Sequence, residues 1–211
     1  IMILACCTIA YLVDAFWLER QVSIPLSIST VLGTAIAFFI GFNNNQAYDR
    51  WWEARKVWGK LVNYSRAWER EVKLLISSDR LEELNEVADF QRKLVYRHLA
   101  FINALRVFLR KPSGYVLRDE AELFQEENEY AGMKKFLEKE EYIQFYHKKN
   151  PPNFLLNKQG EDLKMAYQRG WISEFHLIRL EETLITFNDI QGMCERIKNT
   201  PFMRQYSYFS R

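Results

Sequence analysis

The side chains most able to carry chemistry are few in this sequence, and their spacing argues against catalysis. Eight glycines are scattered singly, with neither a G-x-G-x-x-G nor a G-x-x-x-x-G-K-[ST] run to cradle a phosphate. His98, His147 and His176 lie far apart, and none pairs with a cysteine or carboxylate at ligand spacing, so each reads as a helix-face residue rather than a metal ligand. Cys6 and Cys7 are adjacent and Cys194 is remote, which gives neither a disulfide framework nor a metal motif and fits a reducing environment. Cys194 falls on an apolar helical face and reads as a small core residue. Trp51-Trp52 could form a stacking platform, but aromatic residues at helical spacing beside a membrane serve more often as packing and interfacial anchors. No nucleophile, base and oxyanion set can be named. The chain is therefore expected not to be an enzyme, with no cofactor and no metal assigned.

Composition narrows the classes further. Of 211 residues, 48% are hydrophobic and 15% aromatic, enough for a sizeable core, which excludes disordered and collagen-like chains. Lys and Arg total 29 against 27 Asp and Glu, and a net charge of +2 gives no electrostatic case for nucleic acid. The apolar residues are not spread evenly but crowd into the first 42 positions. The sequence opens on Ile1 rather than Met and is read as a segment of a longer protein.

Residues 1–18 are apolar except for Thr8 and Asp14, and Ile24 to Phe42 is a run of 19 residues without a charge. Together they predict a transmembrane helical hairpin over 1–42, the second helix spanning 24–42. A soluble buried hairpin is the alternative, but an uncharged stretch containing both Gly33 and Gly41 is unusual there. The connection holds only Arg20, whereas Arg50, Arg55, Lys56, Lys60, Arg66 and Arg70 follow Phe42. By the positive-inside tendency the rest of the chain is cytoplasmic. Trp17 fits an interfacial aromatic, and Asp14 is a functional candidate, because a carboxylate at membrane depth is costly without a partner.

The cytoplasmic domain, 43–199, reads as helix throughout. Trp51, Trp58, Leu61, Trp68, Val72 and Leu75 recur at helical spacing from Gln46 onward, which predicts one helix continuing the second span. Phe90, Leu94, His98, Ile102, Leu105 and Leu109 define a second helix from about Glu86 to Arg110, ended by Lys111-Pro112-Ser113-Gly114. Residues 118–149 suggest one or two short helices, and Asn150-Pro151-Pro152-Asn153 a turn. A helix follows from about Phe154 to Gln168, closed by Gly170, and another opens at Ser173 and Glu174 and runs to Lys198 through Leu177, Leu180, Leu184, Phe187, Ile190 and Cys194. Thr200-Pro201 matches the start of a further helix, so residues 200–211 are assigned to the beginning of another membrane helix. The fold class is all-α.

The segment Phe38 to Arg66 is dense in amides, aromatics and alternating charge. Leu32-Gly33, Gly41-Phe42-Asn43-Asn44, Ala47-Tyr48-Asp49-Arg50, Glu53-Ala54-Arg55 and Val57-Trp58-Gly59 follow one another in it or just before it. A second block, Cys194-Glu195-Arg196-Ile197 with Thr200-Pro201, stands near the end. In these two blocks, and more weakly between them, the chain resembles the bacterial branch of the bestrophin family.

The resemblance implies a homopentameric ion channel in the cell membrane, multi-pass and in the bacterial inner membrane, with the second span lining an axial pore. It also implies that two further family membrane helices lie beyond Arg211. Carried over by the Leu-Gly and Gly-Phe anchors, the apolar neck falls on Thr34, Phe38 and Phe42, four residues apart. Thr34 departs from the family's aliphatic ring. Asn43 stands where many members have Arg and, with Asn44, forms a polar cluster at the pore end. A cytoplasmic aperture corresponds to Phe175. The calcium-binding residues of the animal branch belong to a later segment. The implied partners are small inorganic ions, membrane lipids and further copies of the chain, with no nucleic acid. Anion (chloride) and monovalent cation selectivity both stay open. The alternative reading is a membrane-anchored helical adaptor without conductance.

Overall fold

A computed structural model describes residues 2–16, 25–111 and 130–200 of the chain. Its described residues are helical in the order α1 (Met2–Phe16), α2 (Leu26–Leu75), α3 (Leu84–Arg110), α4 (Lys139–Tyr146), α5 (Pro151–Gln168) and α6 (Glu174–Asn199). Two short 3-10 turns, Leu81–Glu83 and Ala131–Lys135, precede α3 and α4. The chain divides into two units, one over residues 1–49 and the other over residues 50–209.

The first unit holds α1 and the N-terminal half of α2. Pro25 stands just ahead of Leu26, where a missing N–H costs nothing, and its carbonyl accepts from the Ile28 N–H at 2.9 Å. The 15 residues of α1 are fewer than the ~20 that cross a bilayer, and residues 17–24, including Trp17 and Arg20, lie outside the described residues. The Asp14 side chain lies outside them too.

The second unit is a helical bundle. From α2 it takes Val57, Leu61, Trp68 and Val72 into the core, where Trp68 meets Phe187 of α6 edge-on with ring centroids 6.2 Å apart. Trp51 and Trp58, expected on that same stripe, are instead 56% and 37% exposed. Val57 takes the inward position next to Trp58, because a 3.6-residue turn carries the buried stripe around the helix over a run this long. α3 buries Phe90, Leu94, Phe101 and Leu105 and packs chiefly on α5, which in turn packs on α6. It begins at Leu84, two residues earlier than its pattern suggests, because Leu81–Glu83 leads into it.

Asn150-Pro151-Pro152-Asn153 is not a turn but the start of α5. Both prolines occupy the first helical positions, where φ near −65° is already helical and no N–H is needed, and the Asn150 carboxamide oxygen caps the Asn153 N–H at 3.2 Å. At the other end Gly170 sits at φ +75°, its N–H bonded to the Tyr167 carbonyl and the Trp171 N–H to the Ala166 carbonyl, both at 3.0 Å. This left-handed closure favours glycine. Ser173 caps α6 by accepting from the His176 N–H at 3.3 Å. The helices expected within 118–149 reduce to the 3-10 turn and α4, residues 118–129 lying outside the described residues. Beyond Thr200, the proposed start of a membrane helix lies outside them as well.

Buried polar groups tie the bundle together. Arg97, 2% exposed on α3, reaches Asp162 of α5 at 2.6 Å and, through two nitrogens, Glu141 of α4. Burial disfavours its charge, but Glu141 and Asp162 outweigh that cost and hold its pKa above the ordinary value. Arg179 of α6 donates at 2.9 Å to Glu71 of α2, which also accepts from the Thr183 hydroxyl at 2.7 Å. Glu83, held by Ser78, Trp171 and Arg80, has its pKa pulled down to about 2.

Candidate functional site

The N-terminal half of α2 presents apolar side chains that the chain itself does not cover. Val31, Ile36, Phe38, Phe39 and Phe42 are each about half exposed or more. Within Ser27–Leu75, α2 is long and apolar enough to cross a membrane, and none of its apolar window is buried inside the chain. A contiguous apolar surface of this kind is disfavoured in water and marks contact with lipid or with other protein.

Thr34, Phe38 and Phe42 stand at i, i+4 and i+8 on this helix, which puts them on one face. Thr34 is exposed and its hydroxyl donates to the Thr30 carbonyl at 2.9 Å, so its polar hydrogen is directed into the helix backbone. Phe38 is 65% and Phe42 48% exposed, with ring centroids 5.1 Å apart and planes at 55°. The two rings thus form a single apolar step along the helix. Asn44 follows, exposed, while Asn43 lies on the same helix with its side chain outside those described. None of these residues carries a charge.

Phe175 belongs to the second unit. It occupies the first turn of α6, two residues after the Ser173 cap, and is 82% exposed. Ile178 and Ile185 are also exposed on this helix, at 51% and 57%. A large aromatic ring held out from a capped helix start contributes little to its own chain's core and is available to line a passage or an interface.

The two sequence blocks that carry the family resemblance meet in the second unit. Arg50 donates to the carbonyl of Ile197, and Arg196 pairs with Glu53 at 2.6 Å. Glu195 accepts from Gln191 at 2.8 Å and from Asn150 at 3.1 Å, and Lys198 donates to the Phe108 carbonyl at 2.8 Å. The Arg50 and Arg196 contacts clamp α2 to the end of α6, while Glu195 and Lys198 tie that end to the start of α5 and to α3. Sequence reasoning missed these pairings, because nothing local marks that Glu53 and Arg196, remote in the chain, are neighbours. It also missed Arg97, although its spacing with Phe90, Leu94 and Phe101 could have revealed it.

His98 is 4% exposed, and burial pushes its pKa down to about 3, so it is neutral in the folded chain. Cys194 is buried, and burial, aided by Glu195, pushes its thiol up to about 11, which suits a packing residue rather than a nucleophile. Among the described residues no group of three His, Cys, Asp or Glu side chains could hold a metal ion.

Residues 1–210 match the family model described as Bacterial/Fungal Bestrophin protein. The chain is 32% identical over 187 residues to the voltage-dependent anion channel-forming protein YneE of Escherichia coli (strain K12), covering 88% of this chain and 53% of that protein. It is 27% identical over 206 residues to the voltage-dependent anion channel-forming protein alr2987 of Nostoc sp., covering 97% of this chain and 61% of that one. The chain thus spans about half the length of the curated relatives it matches. Among solved structures, a bacterial Bestrophin homolog from Klebsiella pneumoniae has the same fold, with a TM-score of 0.77 at 23% identity, covering 96% of this chain and 66% of that one. These relatives are named for channel formation, not for catalysis. On the family match, the all-helical fold and the two linked motif blocks, the chain belongs to the bacterial and fungal bestrophin family.

Proposed function

We propose that the full-length protein is a homopentameric ion channel in the cell membrane, in which one copy of α2 per subunit lines the pore. The observation that carries this reading is the uncovered apolar face of α2, where Phe38 and Phe42 stand one turn apart along one line. Five such faces around an axis would bury each other's surroundings and leave two rings of phenyl groups facing the path. Apolar rings in a narrow pore resist wetting, so ions pass only when the constriction widens or fills with water. Thr34 forms a less apolar ring beside them, and Asn43 and Asn44 supply neutral amides at the end of the neck. Phe175 forms a separate aperture at the start of α6.

On this reading residues 1–42 are the membrane hairpin, 43–199 the cytoplasmic domain and 200–211 the start of the next membrane helix. The transported species are small inorganic ions. Anions are favoured by the names of the relatives, while the proposed neck itself has no charged ring to choose a sign.

The test is current through planar bilayers containing purified full-length protein under a salt gradient. The reading expects discrete channel openings with a reversal potential displaced toward the equilibrium potential of the anion or of the monovalent cation, which also fixes the sign. Correctly folded protein that gives no current would instead favour a helical adaptor anchored in the membrane.

A further inference from the structure

α2 and α6 adjoin the proposed membrane segments in sequence, and they meet at one end of the bundle. Arg50 of α2, about two turns after Phe42, donates to the carbonyl of Ile197 on α6, shortly before Thr200. The C-terminal end of α3 joins them there. Lys198 of α6 donates to the Phe108 carbonyl at 2.8 Å, and its ammonium lies 5.0 Å from the centre of the Phe108 ring. Lys111 follows within a turn of Phe108, its Nζ 5.0 Å from the centre of the Tyr130 ring.

Charge at this end is one-sided. The carboxylates in its contacts are already engaged, Glu53 by Arg196 at 2.6 Å and Glu195 by Gln191 and Asn150. Arg106 and Arg110, one turn apart on α3, and Lys111 are exposed and form no ion pair with any described residue. Burial holds the Lys198 pKa below its ordinary value, and the Lys111 charge adds to this against the opposing pull of Glu195, so the two ammonium groups stand close enough to repel. The partial negative charge of the α3 C-terminus suits Lys198, which caps it, but leaves the exposed cations in excess. Trp51 and Trp52, next to Arg50 on α2, are 56% and 46% exposed, with ring centroids 6.1 Å apart. Exposed indoles beside unpaired cations are the combination found at a membrane–water boundary, where the ring sits at headgroup depth and the cation meets phosphate.

We propose that this end of the bundle binds anionic phospholipid, Arg106, Arg110 and Lys111 meeting the headgroup phosphate and Trp51 and Trp52 resting among the headgroups, an assignment that rests on the membrane reading above but not on conductance. The guanidinium groups offer paired N–H donors to phosphate oxygens, and Lys111 adds a point charge. A lipid fits better than a phosphate from solution, because a soluble anion would use the cations and leave the indoles uncovered. The membrane segments that adjoin α2 and α6 in sequence also bring this end to the bilayer. Lys198 is a positioning group, since its ammonium is committed to the end of α3.

The experiment reconstitutes full-length protein into phosphatidylcholine vesicles that carry a fixed fraction of brominated phosphatidylglycerol or, separately, brominated phosphatidylcholine, and reads the quenching of tryptophan fluorescence. Stronger quenching by the anionic lipid is expected. Replacing Arg106, Arg110 and Lys111 together by Gln should weaken the apparent affinity for phosphatidylglycerol by about fivefold for each cation removed and bring quenching toward the phosphatidylcholine level. All three are exposed, so the fold is expected to survive. The control triple Lys73→Gln, Arg92→Gln and Arg169→Gln removes the same charge around the N-terminal half of α3, where Arg169 pairs with Glu86 and Gln91 donates to the Lys73 carbonyl. Arg92 is roughly 20 Å along the helix from Arg106, beyond the Debye length, so this variant should keep the preference. Equal loss in both triple variants would reduce the effect to net charge and overturn the site. Equal quenching by the two lipids would also overturn it, as would a preference unchanged in the first variant, the result if those cations serve the carboxylates of residues 119–129 instead. Loss of the preference on adding inorganic phosphate at constant ionic strength would place the ligand in solution and overturn its lipid identity. Protein that does not enter the vesicles at all would sink the membrane reading itself.

Discussion

Phe38 draws little from its own chain's core, since it is 65% exposed and its ring meets that of Phe42 one turn away. Its replacement therefore tests the pore without dismantling the bundle of residues 50–209. Phe38→Ala should raise single-channel conductance, because a shorter apolar ring lowers the dewetting barrier. Unchanged current in a properly assembled variant would move Phe38 from the pore to a lipid or packing surface. His98 supplies a residue-scale prediction of another kind. Its folded pKa of about 3 lies below its unfolded value near 6.5, so the unfolded chain binds the proton first on acidification. The stability that His98 contributes is complete above pH 6.5 and declines as pH falls toward 3. Thermal unfolding between pH 7.5 and 4.5 should show a steeper loss for the parent than for His98→Gln, and parallel curves would contradict the assignment of a buried neutral imidazole.

At the scale of elements, α5 and α6 show how caps set boundaries that periodicity alone places loosely. Asn150→Ala removes the acceptor for the Asn153 N–H and the links to Gln191 and Glu195. It should destabilise the bundle by about 1 to 2 kcal/mol in chemical denaturation, and a change near zero would show that the cap is replaced by water. The same N-cap logic holds Phe175 at the start of α6. Phe175→Ala should alter relative permeability among ions of different size while leaving assembly intact; a variant that assembles poorly would place Phe175 between helices instead. Much of this level was legible in the sequence. The Ser173 cap, the Gly170 closure and the α3 and α6 faces all follow from local spacing, and the structure agrees with each. The start of α5 was misread because paired prolines signal a turn as readily as a first helical turn, and only the Asn150 cap distinguishes them. The inward side of α2 was misread at Trp51 and Trp58 because large aromatic residues fit a core stripe by type alone, whereas tertiary packing chose Val57. The clamp of Arg50 on Ile197 and of Arg196 on Glu53 lies beyond any local pattern. The proposed neck residues were located by resemblance, since nothing in the composition of an apolar helix singles out Thr34, Phe38 and Phe42.

A single chain leaves the apolar half of α2 uncovered, and lipid alone could cover it. A pore lined by one helix per subunit cannot exist in a monomer, however, and needs a ring closed by rotational symmetry. The exposed Ile178 and Ile185 on α6 offer further surface for contacts around such a ring. Native mass spectrometry of the full-length protein released from nanodiscs tests this most directly. A pentameric pore gives one dominant species with the mass of five chains, retained in Phe38→Ala and Phe175→Ala; a stable monomer or dimer under conditions that preserve the fold would contradict it.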